Sequence, residues 1–365
     1  MRLYEIKAIN MNGYKKISMA SESGVYPPDE VTEEILWRLP VKVLLRFRCV
    51  SKSWRGLIGS ERFVRIHHGR RTGNPSHAHH HMIRCVWSQG AVQQSLASLL
   101  SGLGGGGDPT RMGLALPESS VHGCHEGVVC VMDNRRRFHL WNPATRARHE
   151  MAALPEQAAV VARAMWMSMI GFGRDGASGA HKVLVTLQDR AGSRSRVYSS
   201  RMGSWKVVQY RAYGTVSAGN GHFASGGLRW HCFSQREQGQ KREDCIVRVD
   251  LRRDGFERVE MPCDEAGSWW PGMGMVLGCL AVALMCEGGI DVWVGEEGKR
   301  WVKRVRVPNV GVSRGFCLPL WMGEEGELLI MCNNSSLVYY PRHNLRFTIQ
   351  QTIGRHVYVE SLVSI

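Results

Sequence analysis

A chain of 365 residues is too long for one small core and short for three ordinary domains, so one large domain with a small companion is expected. Its composition, 44% hydrophobic, 22% charged and 8% aromatic, is that of a globular protein and excludes a mainly disordered one. Forty-seven Lys and Arg against 32 Asp and Glu leave a formal charge of +15, and 11 cysteines without one C-x-x-C pair exclude the simplest zinc-ribbon and thioredoxin-like designs.

Residues 1–25 are polar every few positions, lack the apolar stretch of a secretory signal and read as a loose tail. The longest apolar run, Met275 to Cys286, holds Gly278 inside 12 residues and is too short to span a bilayer. The expectation is a soluble protein of the cytoplasm or nucleus, without a membrane partner, its cysteines reduced and packed as small hydrophobes.

Residues 26–66 are helical by period. Val31, Ile35, Leu36 and Leu39 form one apolar face, with acids in the first half and Pro40 as the stop. Val41, Leu44 and Leu45 begin a second short helix, to which Phe47 adds a side contact. Val50, Trp54, Leu57 and Ile58 predict a third, with Ser51 or Ser53 near its start. Three helices in about forty residues make a core that is marginal alone. Such a unit either caps the rest of its own chain or shares its apolar surface with a partner.

The order of residues favours the partner. The segment from Tyr26 to His67, with Pro27, Glu34-Ile35-Leu36, Arg38-Leu39-Pro40, Leu44-Leu45-Arg46-Phe47-Arg48-Cys49-Val50 and Trp54-Arg55, resembles an F-box. Tyr26 stands where that family usually has Leu. The resemblance implies docking on the Skp-type adaptor of cullin–RING ubiquitin ligases, with Pro27, Ile35, Leu36, Leu39, Pro40, Leu44, Leu45, Phe47 and Val50 as the adaptor-binding residues. Trp54 and Leu57 are left mainly to hold the helices together. Because a three-helix unit needs an interior, these anchors are expected to divide between core and interface.

Residues 67–120 carry a histidine tract (His77, His79, His80, His81) and a glycine run (Gly104 to Gly107), and read as a linker or insertion. From 121 to 365 the chain turns to short Val-, Trp- and Tyr-rich runs broken by Gly, Asn, Asp and Pro, an all-β texture. Five strand–turn–strand units start at His139, Arg196, Arg248, Asp291 and Val338, separated by 43 to 57 residues, the spacing of four-stranded propeller blades. Each reads as an outer hairpin. Apolar runs at 127–132, 183–187, 228–233, 276–286 and 327–332 suit inner positions. Blade number stays open, since 67–120 either supplies or interrupts another.

The pieces Gly123 to Cys130, Leu140-Trp141-Asn142-Pro143-Ala144-Thr145, Ile170 to Gly173, Gly227-Leu228-Arg229-Trp230 and Tyr358 to Val363 resemble the F-box-associated domain of plant F-box proteins. That resemblance covers nearly all of 121–365. It implies a fold that is mainly β with a small α domain: a three-helix F-box, then a Kelch-like β-propeller that recognises a target protein.

Catalytic signatures do not accumulate. Gly171-x-Gly173-x-x-Gly176 fits a dinucleotide fingerprint by letter, but a strand-like run follows where a helix must open, so a glycine-rich turn is expected. The glycine run at 104–107 lacks the Lys-Ser/Thr of a phosphate loop. The histidine tract with Cys85, and Cys124, His125 and Cys130, lack structural-zinc spacing. No catalytic, cofactor or metal residue is assigned. The basic turns Arg135-Arg136-Arg137, Lys241-Arg242, Arg252-Arg253 and Lys299-Arg300 read first as solvated surface, or as attraction for an acidic protein. Nucleic acid is the outside reading, because no aromatic-interleaved RNA motif accompanies them. The function these features support is the substrate receptor of an SCF-type ubiquitin ligase, non-catalytic itself. The alternatives are a non-degradative F-box scaffold and a basic nucleic-acid-binding propeller.

Overall fold

The computed structural model describes residues 29–72, 80–86, 90–97, 110–111, 119–209, 213–216, 219–233, 243–262, 269–296, 300–308, 317–333, 335–349 and 356–365. Pro27, His77, His79, the 104–107 glycines, Lys241-Arg242 and Lys299 lie outside them. Four helices come first: α1 (Asp29–Trp37), α2 (Val41–Phe47), α3 (Lys52–Gly59) and α4 (Glu61–Thr72). Antiparallel sheets follow, six of them, arranged as the blades of a propeller.

The second to sixth blades run in chain order. The second holds Ser120–His125, Val128–Met132, Phe138–Trp141 and Arg148–Glu150, and the third Trp166–Arg174, His181–Asp189, Gly192–Ser199 and Ser204–Val208. In the fourth, Thr215–Val216 and His222–Ala224 both pair with Gly227–Phe233, followed by Asp244–Asp250 and Gly255–Val259. The fifth runs from Trp269–Val276 through Cys279–Cys286 and Gly289–Glu296 to Arg300–Pro308, the sixth from Cys317–Met322 through Leu328–Cys332 and Ser335–Tyr340 to Leu345–Ile349.

The first blade closes the ring. Its innermost strand is His356–Val359, from the far end of the chain, paired with His80–Val86, then Gly90–Ser95 and Thr110–Arg111. Residues 67–120 are therefore not a linker or insertion: they hold the last turns of α4 and three strands of a blade. His80 and His81 of the histidine tract join that sheet, where His81 Nδ1 meets Gln93 Nε2 at 2.8 Å. Polar side chains on these strands, and a partner strand over 250 residues away, hide the blade from a local reading.

Where side-chain burial is described, it falls from the second strand of a blade to its outermost one. The second strands, such as Val128–Met132, Leu328–Cys332 and most of Cys279–Cys286, are buried along their length because neighbouring blades cover both faces. Outer strands such as Arg148–Glu150 and Gly255–Val259 are largely exposed. The apolar runs expected at inner positions are thus second strands. The innermost ones carry glycine instead. Gly171 and Gly173 belong to the inner strand Trp166–Arg174 rather than to a turn, and a Cβ on them would overlap the rings of Trp230 and Phe223. No dinucleotide loop forms there.

Inner and second strands of the second blade are joined by a two-residue turn, Glu126 (φ 48°) and Gly127 (φ 76°). Left-handed backbone at both central positions is what the twist of a tight hairpin demands, and glycine supplies the second. This turn, like the ends of the other inner strands, faces α4.

Candidate protein-interaction surfaces

The helical unit closes a core of its own. Leu36, Val41, Leu44 and Ile58 are fully buried, Phe63 of α4 is 1% exposed, and Leu362 from the far end of the chain completes the cluster. Each such side chain contributes roughly 1.5–3 kcal/mol by leaving water. Pro40 starts α2 with φ −59° and no side-chain cap, its carbonyl accepting from Val43 and Leu44. Ser51 caps α3, its Oγ accepting from Trp54 N at 3.1 Å. Trp54 packs tilted against Phe47, ring centres 5.2 Å apart, and so ties α3 to α2.

Helix α4 was not legible as part of this unit, yet it holds α1 in place. Phe63, His67 and Arg71 recur at i, i+4 and i+8 and are buried. His67 Nε2 donates to the Leu39 carbonyl at 2.9 Å and Arg71 reaches it at 3.4 Å, satisfying a carbonyl that the end of α1 leaves open. Arg62 pairs with Glu33, and Arg70 pairs with Glu34 through both nitrogens at 2.9 Å. The two guanidiniums lie 5.7 and 4.7 Å from the Trp37 ring centre. Hydrogen bonds from Arg70, then from Arg38, hold the Glu34 carboxyl down to about 2.

The expected adaptor residues divide. Leu36 and Leu44 face the interior, so their part is packing rather than contact. Ile35, Leu39, Leu45 and Phe47 are half-buried, Pro40 is exposed, and Val50 is 65% exposed. Pro27 lies outside the described residues. Among the described residues of the ring, Leu362 and the half-buried Ala144 join the helical core cluster, while Pro40 and Val50 at the helices' apolar edge stay exposed.

Between α4 and the mouth of the ring's central channel lies a cavity of about 1210 Å³. His68 of α4, His125, Glu126, Arg174 and His181 line it, with Arg174 paired to Glu126 at 2.8 Å. Burial pushes His125 and His181 down to about 4, so both are neutral at pH 7. Cys130, which with Cys124 and His125 forms an apparent cluster in the sequence, serves packing: it is buried in a strand core and its thiol is pushed up by burial. Among the described residues no three His, Cys, Asp or Glu side chains are grouped to hold a metal ion.

A six-bladed ring carrying a helical unit with exposed apolar side chains along one edge defines a propeller protein with an N-terminal helical module. Residues 111–351 match the F-box associated beta propeller domain and residues 28–66 the F-box domain, and the chain belongs to the family of F-box proteins with an F-box-associated propeller. It is similar to an F-box/kelch-repeat protein of Arabidopsis thaliana, 28% identical over 92% of this chain and 95% of that one. F-box protein CPR1 of the same plant is 26% identical over 86% of this chain and 81% of its own.

Proposed function

We propose that this protein is the substrate-recognition subunit of an SCF-type cullin–RING ubiquitin ligase, working in the cytoplasm or nucleus. Its F-box docks on a Skp-type adaptor through Pro27, Ile35, Leu39, Pro40, Leu45, Phe47 and Val50, with Leu36 and Leu44 shaping that edge from within. The ring holds a target protein near ubiquitin-loaded enzyme. The contribution is positional and involves no bond chemistry of its own: binding two proteins at once raises their effective concentration.

The observation that carries this reading is the Pro40 to Val50 edge, where apolar side chains stay accessible after the helices have closed their own core. Helix-in-groove recognition uses such anchors. The test is adaptor capture by the Pro40→Ala/Val50→Glu variant. Both side chains are exposed, so the melting temperature should stay put while adaptor affinity falls at least about tenfold, one buried anchor's worth. Unchanged affinity would overturn the proposal. Ubiquitination for degradation, as against scaffolding, is tested by target accumulation when the proteasome is inhibited.

A further inference from the structure

We propose that the face of the ring opposite the helices, at the second and third blades, docks a partner protein through an acidic segment bearing an aromatic anchor. This rests on the receptor reading above and names the chemistry of what is received.

Strand direction fixes which face is meant. Inner strands end beside α4, at turns such as Glu126-Gly127, so the turns one strand further on lie on the other side. Three segments meet there. The turn at Asp133–Arg137 joins Met132 to Phe138, a short helix, α5 (Gln157–Val161), leads into Trp166 at the start of an inner strand, and Arg190 lies between Asp189 and Gly192. They form one patch. Gln157 Nε2 donates to the Arg135 carbonyl at 2.7 Å, Arg163 N to Val160 O at 3.1 Å, and Trp166 pairs across the strands with Gln188, two residues from Arg190.

Two features of the patch point to a protein ligand. Trp166 is 51% exposed and Val161 56%, although large apolar side chains elsewhere on the ring are mostly buried. The second feature is charge. Every acid around the patch is engaged: Asp133 with the Arg137 amide and His139, Glu150 with Arg137, Glu156 with Arg196, and Asp189 with the amides of Ala191 and Gly192. Arg135, Arg136, Arg163 and Arg190 are exposed and have no acidic partner among the described residues. A half-exposed tryptophan on the same patch as exposed arginines without acidic partners combines two residue types that dominate interface energies. Its charge selects an acidic occupant and speeds encounter. A lone exposed indole is not the stacking ladder that single-stranded nucleic acid uses.

The test uses the full chain on an array of 15-residue peptides in four sets: acidic with an aromatic, acidic without, basic with an aromatic, and neutral. A labelled 20-nucleotide RNA is run beside it. The acidic–aromatic set should bind best and lose about tenfold between 50 and 200 mM salt, as surface charge pairing is screened. Arg135→Glu/Arg163→Glu should weaken it at least about tenfold and Trp166→Ala about fivefold, the range for truncating an interface anchor. Equal binding by all sets, indifference to these variants, no binding, or stronger RNA binding would each overturn the proposal. Adaptor capture, measured on the same variants, reports on the F-box alone, so failure of the ligase reading and failure of this patch are distinguishable.

Discussion

Asn142 ties the closing end of the chain to the second blade, and its removal should loosen ring and helices together. The side chain is fully buried. Its Nδ2 donates to the carbonyls of Ser361 (3.1 Å) and Val363 (2.7 Å), and its Oδ1 accepts from the amides of Ala144 (3.0 Å) and Thr145 (3.3 Å). Asn142→Ala deletes all four bonds and leaves buried carbonyls without donors. At about 1 kcal/mol per net bond, and more where a buried group is stranded, the cost is roughly 3–5 kcal/mol. For a chain of this size that lowers the melting temperature by about 4–6 °C. Asn142→Asp keeps the shape but turns an oxygen toward two carbonyl oxygens, and should be no better than the alanine variant. Carboxypeptidase should also trim residues 361–365 faster in both. A melting point within about 1 °C of the parent, with unchanged trimming, would refute this account of the closure.

Acid should destabilise the ring before it protonates most carboxylates. Burial depresses His122 and His181 to about 4, below the ordinary 6.5, so the neutral form favours folding; that stability is complete above pH 6.5 and erodes down to pH 4, by about 1.4 kcal/mol per pH unit per histidine. Urea midpoints that stay flat from pH 7 to 4.5 would contradict it. Gly274→Ala should abolish soluble folded protein, because a Cβ there would overlap the Pro319 carbonyl of the neighbouring inner strand and backbone cannot step aside; soluble yield and near-ultraviolet circular dichroism decide. Cys49 is exposed whereas Cys130 is buried with its thiol pushed up, so mass-spectrometric mapping of alkylation should find Cys49 modified at least about tenfold faster.

The helices were legible because a 3.6-residue apolar period, the stop at Pro40 and the cap at Ser51 all act locally. Which anchor faces inward was not. Ile35 and Leu36 are adjacent, as are Leu44 and Leu45, and period alone lets either side chain of each pair take the core; the packing of Phe63 and Leu362 decides for Leu36 and Leu44. Helix α4 escaped because two of its three buried positions, His67 and Arg71, are polar and buried by a hydrogen bond to Leu39 rather than by oiliness. The outer hairpins were legible from their turns. The innermost strands were not, since crowding at the ring's axis selects glycine at Gly171, Gly173, Gly272 and Gly274 and so erases the apolar signal. The Arg135–Arg137 turn was visible as charge, but its neighbours Arg163, Trp166 and Arg190 come together only through blade packing.

Residues 361–365 join the two proposed surfaces mechanically. Ser361 Oγ donates to the Glu126 carbonyl at 2.5 Å, Leu362 enters the helical core, and Val363 packs with the second and third blades. One short segment, just past the strand that closes the ring, thus ties the chain's end to the second blade, seats the helices and supports the blades that carry the arginine–tryptophan patch. Arg174, near both Glu61 of α4 (3.9 Å) and Glu126 of the ring (2.8 Å), braces the same joint. A helical unit held by a buried leucine and hydrogen-bonded backbone keeps a fixed orientation to the ring, whereas a flexible linker would let it sample many. Effective concentration is highest when the span between two binding sites is set rather than averaged. For a protein whose proposed contribution is placement, the stiffness of this joint therefore bears directly on activity. Substitutions at Leu362 should reduce target modification more than they reduce binding to either partner alone.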